Sequence, residues 1–201
     1  SNTGQSCNAP TRMLVPEARK DDAYAIAKDA AEKVVAGDPK KDGTTIGPLV
    51  SDVQYEKVQN LIQKGIDEGA KLLIGGTGKP QGLEKGYYAK PTIFADVEND
   101  MTISKEEIFG PVLSMITYKN IDDAVAIAND TEYGLAAYVS GENKETLTSI
   151  ARRLRAGQIH INYGSAGPDA PCGGFKQSGN GRDKAEWGLE EFLEVNAIMG
   201  A

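Results

Sequence analysis

Val112-Leu113-Ser114-Met115-Ile116-Thr117-Tyr118-Lys119-Asn120-Ile121-Asp122-Asp123-Ala124-Val125-Ala126-Ile127-Ala128-Asn129 is the stretch that decides the fold. Its first seven residues carry the β-branched and aromatic side chains of a strand, and the residues from 121 to 129 read as a helix. Downstream the pattern repeats, with a strand over 135 to 139, a helix over 144 to 155 and a strand over Gln158–Ile161. Upstream lie a strand-like run from Thr92 to Val97 and a short buried strand at Lys71–Ile74. A helix opens at Ser51, where Gln54 completes a capping-box pattern and Val58, Leu61, Ile62 and Ile66 share one face up to the stop at Gly69. A further amphipathic helix over 19 to 36 spaces Ala23, Ile26, Ala27, Ala30, Ala31 and Val34 on one side, with Gly37 and Pro39 ending it. Such alternation predicts an α/β layer, a mostly parallel twisted sheet flanked by helices.

At 201 residues the chain holds one full-sized core, and a single domain over residues 1–201 is the expectation. No apolar run reaches the length of a membrane span. The net charge of −7 argues against a nucleic-acid partner, which would meet clustered Lys and Arg. The densest basic stretch, Arg152-Arg153-Leu154-Arg155, falls on a helical pattern and reads as a solvated face or a match to the helix C-terminus. With two cysteines and no signal peptide, free thiols and a cytoplasmic setting are expected.

One of those cysteines lies in Asn2-Thr3-Gly4-Gln5-Ser6-Cys7-Asn8-Ala9-Pro10. A lone cysteine is usually a small buried hydrophobe. Here the flanking Gly4, Gln5, Ser6 and Asn8 follow neither a helical nor a strand period, so Cys7 is placed on a turn beside backbone N–H donors. That is a setting in which a thiol is activated and an attacked carbonyl oxygen finds donors.

A second segment, Ser104-Lys105-Glu106-Glu107-Ile108-Phe109-Gly110-Pro111, has two readings that can hold together. Ser104 and Glu107 form a capping box opening one helical turn that Gly110 and Pro111 stop. Alternatively Glu107, two residues before Phe109, presents an acceptor for sugar hydroxyls beside a flat packing surface. The glycine-rich run Gly173-Gly174-Phe175-Lys176-Gln177-Ser178-Gly179-Asn180-Gly181-Arg182 fails the phosphate-loop spacing, and no G-x-G-x-x-G joins a strand to a helix. His160, the single histidine, sits between Ile159 and Ile161 on a strand and faces away from both, which suits a structural role. One histidine and two distant cysteines supply no metal ligand set. Beyond the glycine-rich tail, residues 183 to 195 resume an apolar pattern that reads as a short helix running into a strand.

Taken in order, Asn2 to Cys7, Glu106 to Val112 and Pro171 to Arg182 together resemble the NAD(P)-dependent aldehyde dehydrogenase superfamily. Gly47-Pro48-Leu49, Gly86 to Thr92, Asn129 to Leu135 and Glu190 to Val195 fit as well, so the resemblance runs through nearly the whole chain. It implies an aldehyde dehydrogenase catalytic-domain fold, with Cys7 as nucleophile, Glu107 as acceptor for the nicotinamide-side ribose and Phe109 packing beside that part of the cofactor. It also implies oxidation of an aldehyde to a carboxylic acid with NAD or NADP, through a Cys7 thiohemiacetal and thioester.

In that family the water-activating glutamate, an oxyanion-hole asparagine and the Rossmann-like cofactor-binding domain all precede the cysteine. The expectation is therefore a C-terminal catalytic portion whose N-terminal cofactor-binding domain is absent, inactive alone, and part of a homodimer or homotetramer when complete. A CoA-acylating semialdehyde dehydrogenase, or a non-catalytic binding or assembly module of the same fold, are the alternative readings. Ser6 and Asn8 flank the nucleophile and Cys172 stands where the family often has an aromatic residue of the aldehyde tunnel, so all three are candidate substrate-lining positions.

Overall fold

All four side chains of Thr92–Ala95 are buried, which requires apolar layers on both faces of the strand they form. The structure, a computed structural model, describes residues 1–200 and divides into two units, Ser1–Ala128 and a second beginning at Asn129. The first unit builds a sheet from β1 (Arg12–Pro16), β2 (Lys71–Ile74), β3 (Thr92–Ala95) and β4 (Val112–Tyr118), in spatial order β1-β4-β3-β2. β4 runs parallel to both neighbours, with Ser114 opposite Arg12 on one side and Phe94 on the other. β2 closes the edge antiparallel to β3. Rather than the buried strand its sequence suggests, β2 leaves Lys71 and Leu72 exposed, because an edge strand has a neighbour on one side only.

Period-two alternation sorts the strand residues between two helices. On one face Phe94, Val112 and Ile116 meet Val58, Leu61 and Ile62 of α2 (Asp52–Asp67). On the other, Ile93, Ala95 and Met115 meet Tyr24, Ala23, Ala27 and Ala31 of α1 (Lys20–Glu32). The small α1 alanines let that helix lie close to the sheet. Ile26, assigned to the same face, instead points to solvent at 69% exposure. α1 also stops short of Val34, since the following chain pairs with Thr45 and Ile46. The short α3 (Thr102–Lys105) lies between β3 and β4 in sequence. α4 (Ile121–Asn129) begins where Asn120 Oδ1 accepts the Asp123 N–H at 3.0 Å, and Arg12 donates to the carbonyls of Ile127 and Ala128 near its end.

In the second unit β5 (Ala136–Val139) and β6 (Gln158–Ile161) pair in parallel, and α5 (Lys144–Ala151) is capped by Asn143, whose Oδ1 accepts the Thr146 N–H at 2.8 Å. Gly157, at the entry to β6, has no room for a Cβ, which would collide with the Gly173 carbonyl. His160 stacks on Tyr138 with ring centroids 4.8 Å apart, and its Nδ1 lies 2.7 Å from the Gly164 carbonyl oxygen. The last helix, α6 (Ala185–Glu190), is followed by irregular chain where the sequence pattern suggests a strand. Phe192, Val195 and Ile198 in that tail are more than four-fifths exposed, so the apolar pattern there joins no core among the described residues.

Candidate active site

Asn2, Thr3 and Gly4 all adopt positive φ, at 47°, 55° and 72°. Three consecutive left-handed residues are costly, and they persist where the surroundings hold them. Thr3 is buried and its Oγ1 donates to the Gly47 carbonyl at 3.0 Å. Gln5 Oε1 accepts the Val50 N–H at 2.9 Å, while Asn2 Nδ2 donates to the Gln5 carbonyl at 2.8 Å. The chain thus leaves this tight coil with its direction set and enters a second turn, closed by the Ala9 N–H on the Ser6 carbonyl at 3.0 Å. Cys7 and Asn8 form the tip of that turn and are exposed, with Ser6 half-buried behind them. The turn placement expected for Cys7 is the one observed, and both Cys7 and Cys172 are free thiols.

Gly4 is also the point where the two candidate segments meet. A Cβ on it would collide with the Gly110 carbonyl and lie 3.1 Å from the Pro111 nitrogen, so glycine is required both for its φ and for this approach. The coil that leads into the Cys7 turn therefore rests on the segment that carries Glu107 and Phe109.

That segment is not the capped helical turn its sequence suggests. α3 ends at Lys105, with Ser104 buried inside it, and Glu106 to Gly110 is extended or irregular. Two interactions decide the difference. Thr102 donates its N–H and Oγ1–H to the Glu68 carboxylate at 2.7 and 2.6 Å, which anchors the helix start three positions earlier than the capping box would. The Thr102 hydroxyl bond leads the causes that lower the Glu68 pKa from its ordinary value.

Further along, Ile108 plugs the core at 2% exposure, and the residues on either side of it turn outward. Glu107 is exposed and makes no hydrogen bond among the described residues; Phe109 is half-buried at φ 56°. An exposed carboxylate next to a half-buried ring fits the acceptor-and-packing role for a sugar diol and a flat ring. Beside Glu106, a shallow groove of about 620 Å³ runs along the start of α2, floored by Leu61 and walled by Val53, Glu56 and Lys57.

Gln54 is the residue that sequence reasoning assigned differently. Ser51 caps α2, its Oγ accepting the Gln54 N–H at 3.2 Å, but the Gln54 side chain does not return to complete the box. Its Nε2 donates instead to the carbonyls of Ile108 at 3.0 Å and Phe109 at 2.8 Å. The one available signal was the amide itself, which has a donor where the glutamate of the usual capping box has none.

Cys172 lies in the second unit, where its N–H and C=O exchange hydrogen bonds with Asp183 at 2.8 and 2.7 Å and its half-buried side chain borders a groove of about 300 Å³ together with Phe192. In the adjoining glycine-rich run the cations serve the backbone. Lys176 Nζ donates to the carbonyls of Asn129 and Thr131, and Arg182 to those of Gly174, Asn180 and Gly181. The Arg155 and Arg182 guanidinium groups lie over the Phe175 ring, 5.4 and 4.9 Å from its centroid. Among the described residues no group of three or more His, Cys, Asp or Glu could hold a metal ion, and no helix is long and apolar enough to cross a membrane.

A mostly parallel α/β sheet with an exposed thiol on a rigid turn, seated against a carboxylate–aromatic segment, defines the class in structural terms. Comparison with known proteins gives the family. A sequence profile described as the aldehyde dehydrogenase family matches residues 1–198, and the chain belongs to that family. A putative aldehyde dehydrogenase of Staphylococcus haemolyticus is 56% identical over 200 residues, covering 100% of this chain and 42% of that relative. Among solved structures, an aldehyde dehydrogenase C variant from Pseudomonas syringae, in complex with NAD+ and octanal, is 52% identical with a TM-score of 0.95. It is matched over 98% of this chain and 40% of its own. An aldehyde dehydrogenase of Mycobacterium tuberculosis complexed with NAD+ is 42% identical with a TM-score of 0.94, over 99% of this chain and 42% of its own. The chain spans about two-fifths of the length of the relatives it matches.

Proposed function

We propose that this chain supplies the nucleophile of an NAD(P)-dependent aldehyde dehydrogenase that oxidises an aldehyde to a carboxylic acid. One observation carries the reading: the Gly4 approach to Gly110 and Pro111, which seats the coil leading into the Cys7 turn on the segment bearing Glu107 and Phe109. Family membership supports it, as do the NAD+ complexes of the P. syringae and M. tuberculosis relatives.

Cys7 Sγ is exposed at the tip of a two-residue turn, so a carbonyl carbon can reach it without moving the fold. Attack of the thiolate gives a thiohemiacetal, and the Cys7 backbone N–H lies close to where the new oxyanion forms. A bound nicotinamide dinucleotide supplies the hydride acceptor. Cys7 then holds the acyl group as a thioester until water takes it, releasing the carboxylic acid and the thiol. Glu107 would accept hydrogen bonds from the nicotinamide-side ribose and Phe109 would pack beside it, while Ser6 and Asn8 flank the thiol where the aldehyde arrives. By itself the 201-residue chain gives no NAD+-dependent turnover, since the relatives it resembles are more than twice its length.

The test is Cys7→Ala in a polypeptide of the relatives' length. Aldehyde oxidation falls by at least about 10³-fold, with NAD+ binding and melting temperature unchanged. Retention of a tenth or more of the wild-type rate removes Cys7 from the chemistry.

A further inference from the structure

Building on that reading of Glu107 and Phe109, we propose that Gln54 is the positioning residue that holds both of them in their working orientation. Phe109 is a bulky residue in the left-handed region, at φ 56°, a conformation that a chain keeps only when its surroundings impose it. The amide of Gln54 supplies the constraint. Its Nε2 donates to the carbonyls on both sides of the strained residue's N–Cα bond, Ile108 O at 3.0 Å and Phe109 O at 2.8 Å. Two carbonyls aimed at one nitrogen fix the intervening peptide, and with it the direction in which the Phe109 ring leaves the chain.

Below the clamp Ile108 is buried in the core, and beyond it Gly110 is held on one side by Val58, whose Cγ2 would lie 2.6 Å from a Cβ there, and on the other by Gly4. Glu107 and Phe109 flank this anchored point and face outward. The same entrance to α2 registers the nucleophile turn, through Thr3 on Gly47 and Gln5 on Val50. The stretch from Gly47 to Gln54 therefore sets the spacing between thiol and carboxylate, and Gln54 controls the carboxylate side.

Gln54→Glu separates positioning from folding. It is nearly isosteric, and it adds a negative charge to the first turn of α2, which is favourable to the helix. What it loses is the donor, leaving a carboxylate facing two carbonyls. In a polypeptide of the relatives' length, the expected result is a KM for NAD+ raised about tenfold, the scale of two lost neutral hydrogen bonds. The same variant is expected to keep kcat within about twofold and its melting temperature unchanged. In the 201-residue chain, hydrogen exchange of the Phe109 and Gly110 amides accelerates, and Gln54→Ala does the same.

Unchanged KM and unchanged exchange in both variants overturn the proposal. So does a joint fall of kcat and melting temperature in Gln54→Glu, which would mark a merely structural role. If the wild-type polypeptide shows no NAD+-dependent oxidation, the functional reading fails, and the exchange rates alone then decide whether Gln54 holds the segment.

Discussion

The two units are held together by different physics. The first surrounds its sheet with two apolar layers, and Phe94, Ile62, Met115 and Val58 are fully buried there. In the second, Leu147 is the one buried apolar side chain among the described residues. Its order comes from backbone contacts and side chains that reach carbonyls: Gly157 against Gly173, Lys176 on Asn129 and Thr131, Arg182 on Gly174, and the Gly134 N–H on Ser178 Oγ at 3.0 Å. The difference bears on the site. The left-handed coil that leads into the thiol turn and a left-handed Phe109 sit on the unit with a dense core, which can bear the cost of holding them.

The sharpest way to break that comparison is to empty each unit in turn. Phe94→Ala removes a ring at 0% exposure that packs against α2, and is expected to cost about 3–5 kcal/mol. Leu147→Ala, in the second unit, is expected to cost less, about 2–3 kcal/mol, because fewer buried neighbours surround it. Denaturant unfolding of the two variants decides the matter. A Leu147→Ala loss equal to that of Phe94→Ala would mean that the second unit depends on an apolar core after all.

A smaller effect probes the polar ties. Lys176→Met keeps the length of the side chain and deletes its two bonds to the carbonyls of Asn129 and Thr131. Since Lys176 is exposed, the expected loss is about 1 kcal/mol. It is read as faster hydrogen exchange confined to the second unit. Exchange unchanged in that unit would leave its order to the glycine contacts alone.

The same contrast explains what could be read from the sequence. β4, α4 and β6 begin and end where their residues predict, because period and turn residues are local signals and these elements follow them. The placement of Cys7 on a turn was likewise legible. Two of the readings that failed turned on a distant partner. Glu68 starts α3 at Thr102 and displaces the box proposed at Ser104; Gln54 spends its amide on Ile108 and Phe109, not on its own helix. Ile26 faces solvent because alanines suffice for contact with the sheet. In the apolar run after Trp187, the pattern reads as a helix running into a strand, whereas Phe192 and Val195 lie on irregular chain and are left exposed among the described residues. Local rules carry no information about a partner more than thirty positions away, such as Thr102 for Glu68.

The smallest predicted effect tests a charged polar tie of the first unit. Glu68 receives the Thr102 hydroxyl and N–H, and Lys64 Nζ lies 3.7 Å from its carboxylate. The hydroxyl bond, then the Thr102 N–H and the Lys64 charge, lower its pKa, with partial burial opposing them. A folded-state pKa below the ordinary 4.5 means that the charged carboxylate contributes stability above that value, and that the contribution is lost as pH falls through the folded pKa. Melting temperature followed from about pH 6 to about pH 3 should therefore fall, and Glu68→Gln should flatten the part of that fall lying below 4.5. Parallel curves for wild type and variant would show that the Thr102 bonds survive protonation of Glu68. The early start of α3 would then rest on core packing around Ile103, and the first unit would be apolar in its control as well as in its core.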